Sequence, residues 1–196
     1  MKKILLSVLV SCSLMSARAA VSVFDAFLSG PNESPANASP GIGFAIVNFD
    51  SSANTLQVLV DFSGLTSGTT ASHIHAATSS PFTGTAGVAT TTPTFAGFPL
   101  GVTSGVYSNT LDLTLASSYN PAFVGTNTIA AAEAALVAAM FANESYLNIH
   151  TTTFPGGEIR GFLTLVPEPS TLALAGLGGV GMAARVWRRR GRAHKS

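Results

Sequence analysis

Three histidines are the residues best placed to do chemistry. His73 and His75 stand two apart in Ser72-His73-Ile74-His75, and His150 follows Tyr146-Leu147-Asn148-Ile149. Strand side chains alternate between faces, so residues two apart share a face at about 6.5–7 Å along the chain. Two imidazoles so placed can share a metal ion. His150 is a third ligand if its strand lies beside theirs. That set would have three nitrogens and an open position, suited to copper or zinc. Ile74 and Ile149 would then take the core face. In a second arrangement the same histidines hydrogen-bond across strands and to loop backbone, orienting a Gly-rich loop. Spacing does not fix which strands are neighbours, so both readings stay open.

Glu158 and Arg160 are also two apart on a strand pattern. As an acid and an electrophile they would suit catalysis, but charges at this spacing are more simply a structural ion pair that pins the final hairpin. No nucleophile motif, phosphate loop or paired-carboxylate signature appears, and Gly101-Val102-Thr103-Ser104-Gly105 lacks the spacing of a nucleophile elbow. No catalytic residue is assigned, and a non-enzymatic role is expected.

The elements that must hold these residues read as β. Val21 to Leu28 is a first strand, followed by a Pro/Asn/Ser loop from Gly30 to Gly41. Ile42 to Phe49 and Thr55 to Phe62 are strands joined by the turn Asp50-Ser51-Ser52-Ala53-Asn54. Leu56, Val58 and Val60 alternate with Gln57, Leu59 and Asp61. Ser72 to Ala76 is a short strand, and 79–101 is a Gly/Thr/Pro-rich loop with an edge strand near Ala86 to Thr91. Val106 to Leu115 alternates again, with Leu111, Leu113 and Leu115 on one face. Thr128 to Ala142 breaks the pattern: Ile129, Ala132, Leu136, Ala139 and Met140 form a helical stripe, capped by Thr126 or Thr128 and left through Asn143.

A closing hairpin pairs Tyr146–Thr152 with Glu158–Leu165 around Phe154-Pro155-Gly156-Gly157. Its core face holds Leu147, Ile149, Ile159, Leu163 and Leu165, with Gly161 leaving room for a bulky neighbour. Tyr146, Asn148, His150, Glu158, Arg160 and Phe162 take the other face. The fold class expected is mainly β, an antiparallel sandwich or barrel-like, Greek-key-like domain over 20–165 with one short helix near 128–142.

Charge is distributed unevenly. The formal net charge is +1, yet between residues 20 and 166 Arg160 stands alone against eight acids, a net of −7. A phosphate backbone needs clustered Lys and Arg, so nucleic acid is excluded as a partner. An acidic, Lys-free surface suits solubility outside the cell.

The N-terminal 1–19 reads as a secretory signal. Lys2-Lys3 is the charged start, Ile4 to Val10 begins a short apolar run, and Ala17-Arg18-Ala19 is a small-residue site that puts the cut between Ala19 and Ala20. Cys12, the only cysteine, sits in a loose lipoprotein-type box, a rival reading with Cys12 lipidated. With the cut after Ala19, the exported protein has no disulfide and depends on its core.

At the other end, 166–196, Pro167-Glu168-Pro169 precedes a short Gly-rich apolar helix over about 171–187, and a basic tail, 188–196, opens with Arg188-Arg189-Arg190. The physics is a membrane segment with its basic end inside. The pattern resembles a PEP-CTERM sorting signal. That resemblance implies an exosortase-type enzyme as partner, cleavage near the Pro-Glu-Pro, and a helix that holds the membrane transiently before release. The protein would pass the inner membrane to the surface or the extracellular matrix of an exopolysaccharide-making bacterium.

Ser72-His73-Ile74-His75, the Gly-rich loop, Tyr146 to Thr151 and Pro155-Gly156-Gly157-Glu158-Ile159-Arg160-Gly161 together resemble the CHRD domain over about 21–165. The resemblance implies a β-sandwich or barrel-like module and no catalytic residue. A histidine pair on the outer face of a β-sandwich is also similar to copper/zinc superoxide dismutase, by analogy. The core lacks a fourth histidine and a cysteine pair, so dismutase activity is not expected. The reading that leads is a binding or structural protein of the cell surface or matrix, with exopolysaccharide or other secreted proteins as partner class. A copper- or zinc-binding domain, up to a metalloenzyme, is the alternative.

Overall fold

The computed structural model describes residues 21–167. The expected signal segment with its Ala19/Ala20 cut, Cys12, the apolar helix at about 171–187 and the basic tail lie outside the described residues.

Eight antiparallel strands form one curled, half-barrel sheet: β1 (Val21–Ser29), β2 (Ile42–Asp50), β3 (Thr55–Ser63), β4 (Thr69–His75), β5 (Gly105–Asp112), β6 (Tyr146–Thr151), β7 (Ile159–Phe162) and β8 (Thr164–Leu165). The order is β4-β6-β7-β1-β2-β3-β5, with β8 beside β1. Of the two forms open to the sequence, this is the barrel-like one.

Chain connectivity requires the curl. β3 and β4 stand five places apart in the sheet order. A flat sheet would separate them by about 24 Å at ~4.8 Å per strand. The short link from Ser63 to Thr69 reaches only about 20 Å fully extended. The sheet therefore bends until its edges approach. The end of the 76–104 loop fills the seam: Leu65 N–H donates to Thr103 O (3.1 Å), Thr69 N–H to Val102 O (2.9 Å) and Gly101 N–H to Thr69 O (2.8 Å).

The alternation read from sequence decides the core. Leu56, Val58, Val60 and Phe62 of β3 point inward with Ala45 and Val47 of β2, and Ile74, Leu147, Ile149 and Ile159 continue the same layer. Each such Leu, Ile or Phe side chain contributes about 1.5–3 kcal/mol by leaving water. The β2–β3 turn is fixed by Asp50 Oδ1, which accepts from Ser52 N (2.8 Å) and Ala53 N (3.1 Å), and by Asn54 at φ 51°. After a short α1 (Pro121–Val124), α2 runs over Ile129–Phe141. Thr128 caps it by accepting from Ala131 N, and Asn143 leaves it at φ 58°. Ala132, Leu136, Ala139 and Met140 are its buried stripe, and Phe141 sets its ring edge-on to Phe24 at 5.1 Å.

Four expectations about the strands need correction. Leu165, expected on the core face, is 40% exposed on the two-residue β8, which pairs only Phe24 and Asp25 of β1. No regular edge strand forms near Ala86 to Thr91; single bridges join Val88 to His75 and Thr90 to Tyr119. A Gly/Thr/Pro-rich run has no apolar period to anchor a longer ladder. Leu115 is exposed because β5 ends at Asp112 and a tight 3-10 turn over Ala116–Ser118 rotates the chain.

Gly161 leaves room for backbone and not for a bulky side chain. A Cβ there would collide with Phe27 O, and would lie 2.8 Å from Phe27 C and 3.2 Å from Ala26 Cβ. Gly161→Ala is expected to cost about 3 kcal/mol, because β1 cannot retreat without breaking its ladder to β2. Urea unfolding checks this; a change under about 1 kcal/mol would mean that β1 and β7 do not approach so closely.

Candidate metal centre

The adjacency that spacing left open is direct. β4 pairs β6 antiparallel, with His73 opposite Asn148, His75 opposite Tyr146 and Ala71 opposite His150. Opposed residues share a face, so all three histidines lie on the side of the sheet away from Ile74, Leu147 and Ile149. The structure brings the three expected residues together. Ring centroids are 5.3 Å apart for His73–His150, 5.8 Å for His73–His75 and 6.0 Å for His75–His150.

That outer face is covered. The 76–104 loop and the 153–157 turn fold over it, leaving His73 6% and His75 8% exposed. Both supply backbone carbonyls to the rings. His73 Nε2 donates to Pro93 O (2.6 Å), His75 Nδ1 to Ala86 O (2.9 Å) and His150 Nδ1 to Pro155 O (2.9 Å). A carbonyl only accepts, so the proton sits on those nitrogens and the opposite nitrogen of each ring keeps its lone pair. Those opposite nitrogens, His73 Nδ1, His75 Nε2 and His150 Nε2, are buried and have no hydrogen-bond partner.

The electrostatics keep the rings neutral. Burial pushes the His75 imidazole down to about 4, against the Ala86 carbonyl, with His150, His73 and Arg160 adding to the fall. Burial also lowers His73 and His150, against the Pro93 and Pro155 carbonyls. Each ring offers a nitrogen within 4.8 Å of those of the other two. Three nitrogens on one zinc or copper at ~2.0–2.1 Å would lie about 3.3 Å apart, so a bound ion would draw the rings closer. The two sequence readings are compatible: each ring spends one nitrogen orienting the loop and holds the other free. Carbonyls that fix the tautomer and aim of a ring are the usual outer layer of a histidine metal site.

Around the rings lies a second layer that sequence reasoning did not assemble. Tyr146 stacks on His75 at 4.7 Å and 7° between planes, and its hydroxyl meets Ala86 at 3.3 Å. The Arg160 guanidinium lies 4.6 Å from the Tyr146 ring centre. Glu33, from the loop after β1, accepts from Asn148 Nδ2 (2.8 Å). Burial pushes its carboxyl up to about 7, with Arg160 and the Ser34 backbone pulling the other way. The parity of Tyr146 and Asn148 placed them on this face; nothing in the sequence marked Glu33.

The expected Glu158–Arg160 ion pair is not formed. Arg160, 4% exposed, pairs with Glu33 at 3.8 Å and donates from Nε to Asn32 O (2.5 Å) and from Nη1 to Gly84 O (2.9 Å). Glu158 is fully buried and spends both oxygens elsewhere. Oε1 accepts from Ser39 Oγ and Thr66 N, and Oε2 from Thr151 Oγ1, each at 2.6 Å. The loop over this face removes the water that a solvated strand pair would need, so each charge takes the partners that folding brings to it.

The CHRD domain model matches residues 24–163. The chain belongs to the CHRD domain family. The histidine cluster, its loop and the closing hairpin all lie within that match. Residues 165–190 of this CHRD protein match the PEP-CTERM protein-sorting motif, which includes Pro167, Glu168 and Pro169. The motif carries recognition by an exosortase and directs export to the cell surface or beyond through a membrane-anchored sorting step. No curated protein and no solved structure matches the chain.

Proposed function

We propose that this exported CHRD protein is a metal-binding surface or matrix protein, holding one zinc or copper ion through His73, His75 and His150. The observation that carries the reading is the set of three buried imidazole nitrogens without partners, on rings whose other nitrogens are each held by a carbonyl. An unpaired buried acceptor costs about 1–3 kcal/mol. Three on one patch are hard to account for by packing, and a shared cation satisfies all of them. Elemental analysis of the purified protein beside His73→Ala/His75→Ala tests this. About one zinc or copper per chain, lost in the double variant, is expected; no metal after incubation with either ion would overturn it.

A second reading, docking of exopolysaccharide or another secreted protein, is favoured by the outer face of β2, β3 and β5. Phe44 and Val106 are exposed there, Val106 at 74%, and with Ile46 and Leu59 they line a groove of about 330 Å³. Val106→Asp is expected to abolish co-sedimentation with the producing strain's matrix while leaving the fold intact; unchanged co-sedimentation would remove this reading.

The domain limits follow the same account: a signal over 1–19, the β-domain over 20–165 and a sorting segment over 166–196. Deleting residues 167 to 196 is expected to keep the protein out of the matrix fraction. Normal delivery of the truncated chain would contradict the role given to the tail.

A further inference from the structure

Among the described residues, five buried side-chain polar atoms have no hydrogen-bond partner, and four of them lie on one face of β4 and β6. Three are the histidine nitrogens. The fourth is Asn148 Oδ1. The fifth, Ser145 Oγ, precedes β6 and has the opposite parity.

Asn148 occupies the middle of the cluster. His75 stands opposite Tyr146, and His150 lies four residues further along β6, about 13–14 Å away along the strand. Their ring centroids are nevertheless 6.0 Å apart. Both rings therefore lean inward over the intervening row, where His73 and Asn148 face each other. The amide is also oriented. Its nitrogen donates to Glu33 Oε1 at 2.8 Å, and Glu33 is in turn held beside Arg160. That leaves the amide oxygen, buried on the same face of the sheet as the rings, as the atom with a lone pair and no donor.

We infer that Asn148 Oδ1 is the fourth ligand of the histidine centre, and that the centre is closed. The inference rests on the reading of the three histidines as ligands. Four protein ligands make a structural site, whereas a catalytic one keeps a position for water or substrate. The ion would tie β4 to β6. Through the carbonyls of Pro93, Ala86 and Pro155 it would also clamp the covering loop and turn. Glu33, behind the amide, holds its orientation by accepting from Nδ2.

Cobalt(II) titration of the full chain tests this, because four-coordinate cobalt absorbs visible light far more strongly than five- or six-coordinate cobalt. The wild type is expected to give the intense spectrum. Asn148→Leu is expected to bind at least about 10-fold more weakly, the least that loss of even an outer-layer partner costs, and to give a spectrum that changes with pH as a water takes the vacated position and titrates. The double variant Asn148→Asp/Glu33→Gln keeps an oxygen in place, and the glutamine amide replaces the donor lost at position 148; it is expected to retain the spectrum and bind at least as tightly as wild type. An Asn148→Leu spectrum and affinity equal to wild type would overturn the role of Asn148 while leaving the three histidines as ligands. If Asn148→Leu does not fold, weaker binding by Asn148→Asp/Glu33→Gln would overturn it. Absence of cobalt binding in the wild type would remove the metal reading itself.

Discussion

Saturating zinc is expected to raise the midpoint of thermal unfolding by roughly 8–16 °C. A ligand that binds only the folded state stabilises it by about 4 kcal/mol at 1,000 times its Kd, and each kcal/mol moves the midpoint of a domain of this size by about 2–4 °C. The folded state has the site and the unfolded chain does not, since His150 is 75 residues from His75 and meets it only through the β4–β6 ladder. His150→Ala removes one of three nitrogens and is expected to reduce the shift to a small fraction. A wild-type midpoint that ignores millimolar zinc and copper would contradict the site.

Glu158→Gln is expected to destabilise the domain by about 3 kcal/mol, with no metal required. The carboxylate joins three segments: Ser39 from the β1–β2 loop, Thr66 from the β3–β4 link and Thr151 from β6. Hydrogen bonds to a charged group contribute about 1.5–3 kcal/mol each. An amide can keep its oxygen for Ser39 and Thr66 and turn its nitrogen toward Thr151 Oγ1, whose hydroxyl must then accept, but all three bonds lose the charge that strengthens them. Burial alone would push the Glu158 carboxyl up. The hydrogen bonds from Ser39, Thr151 and Thr66 together outweigh it and hold the group below its ordinary 4.5.

A carboxyl whose folded value is depressed contributes its full stability above the unfolded value and loses it as pH falls through the folded one. The gap between wild type and Glu158→Gln should therefore be constant near neutrality and narrow below about pH 4.5. Chemical unfolding of both at pH 7 and pH 3.5 checks this. A gap that widens in acid would mean that Glu158 is protonated in the folded state.

The strands that carry the site were legible because each turns one apolar face inward. Ile74 between His73 and His75, and Ile149 beside His150, put the imidazoles on the opposite face from parity alone. Thr128 and Asn143 marked the ends of α2 by their backbone preferences. What parity cannot supply is the neighbour across the sheet. The β4–β6 pairing depends on a curl set by the short β3–β4 link, which is a property of the whole chain.

The cover over the outer face was equally hidden. The 76–104 loop is rich in Gly, Thr and Pro and has no period, so nothing in it announces that Ala86 and Pro93 will hold histidines. Glu158 and Arg160 show the consequence. Two apart and opposite in charge, they read as a local pair, yet Arg160 meets Glu33, 127 residues earlier, and Glu158 meets hydroxyls and an amide. Sequence separation hides partners of this kind, and burial is what makes them necessary.

The central claim is that the three free imidazole nitrogens share one ion. A crystal structure of the zinc-incubated protein, with diffraction recorded above and below the zinc edge, tests it most directly. The account predicts one anomalous peak at about 2.0–2.1 Å from His73 Nδ1, His75 Nε2 and His150 Nε2. An ordered structure with no anomalous density between those rings would contradict it.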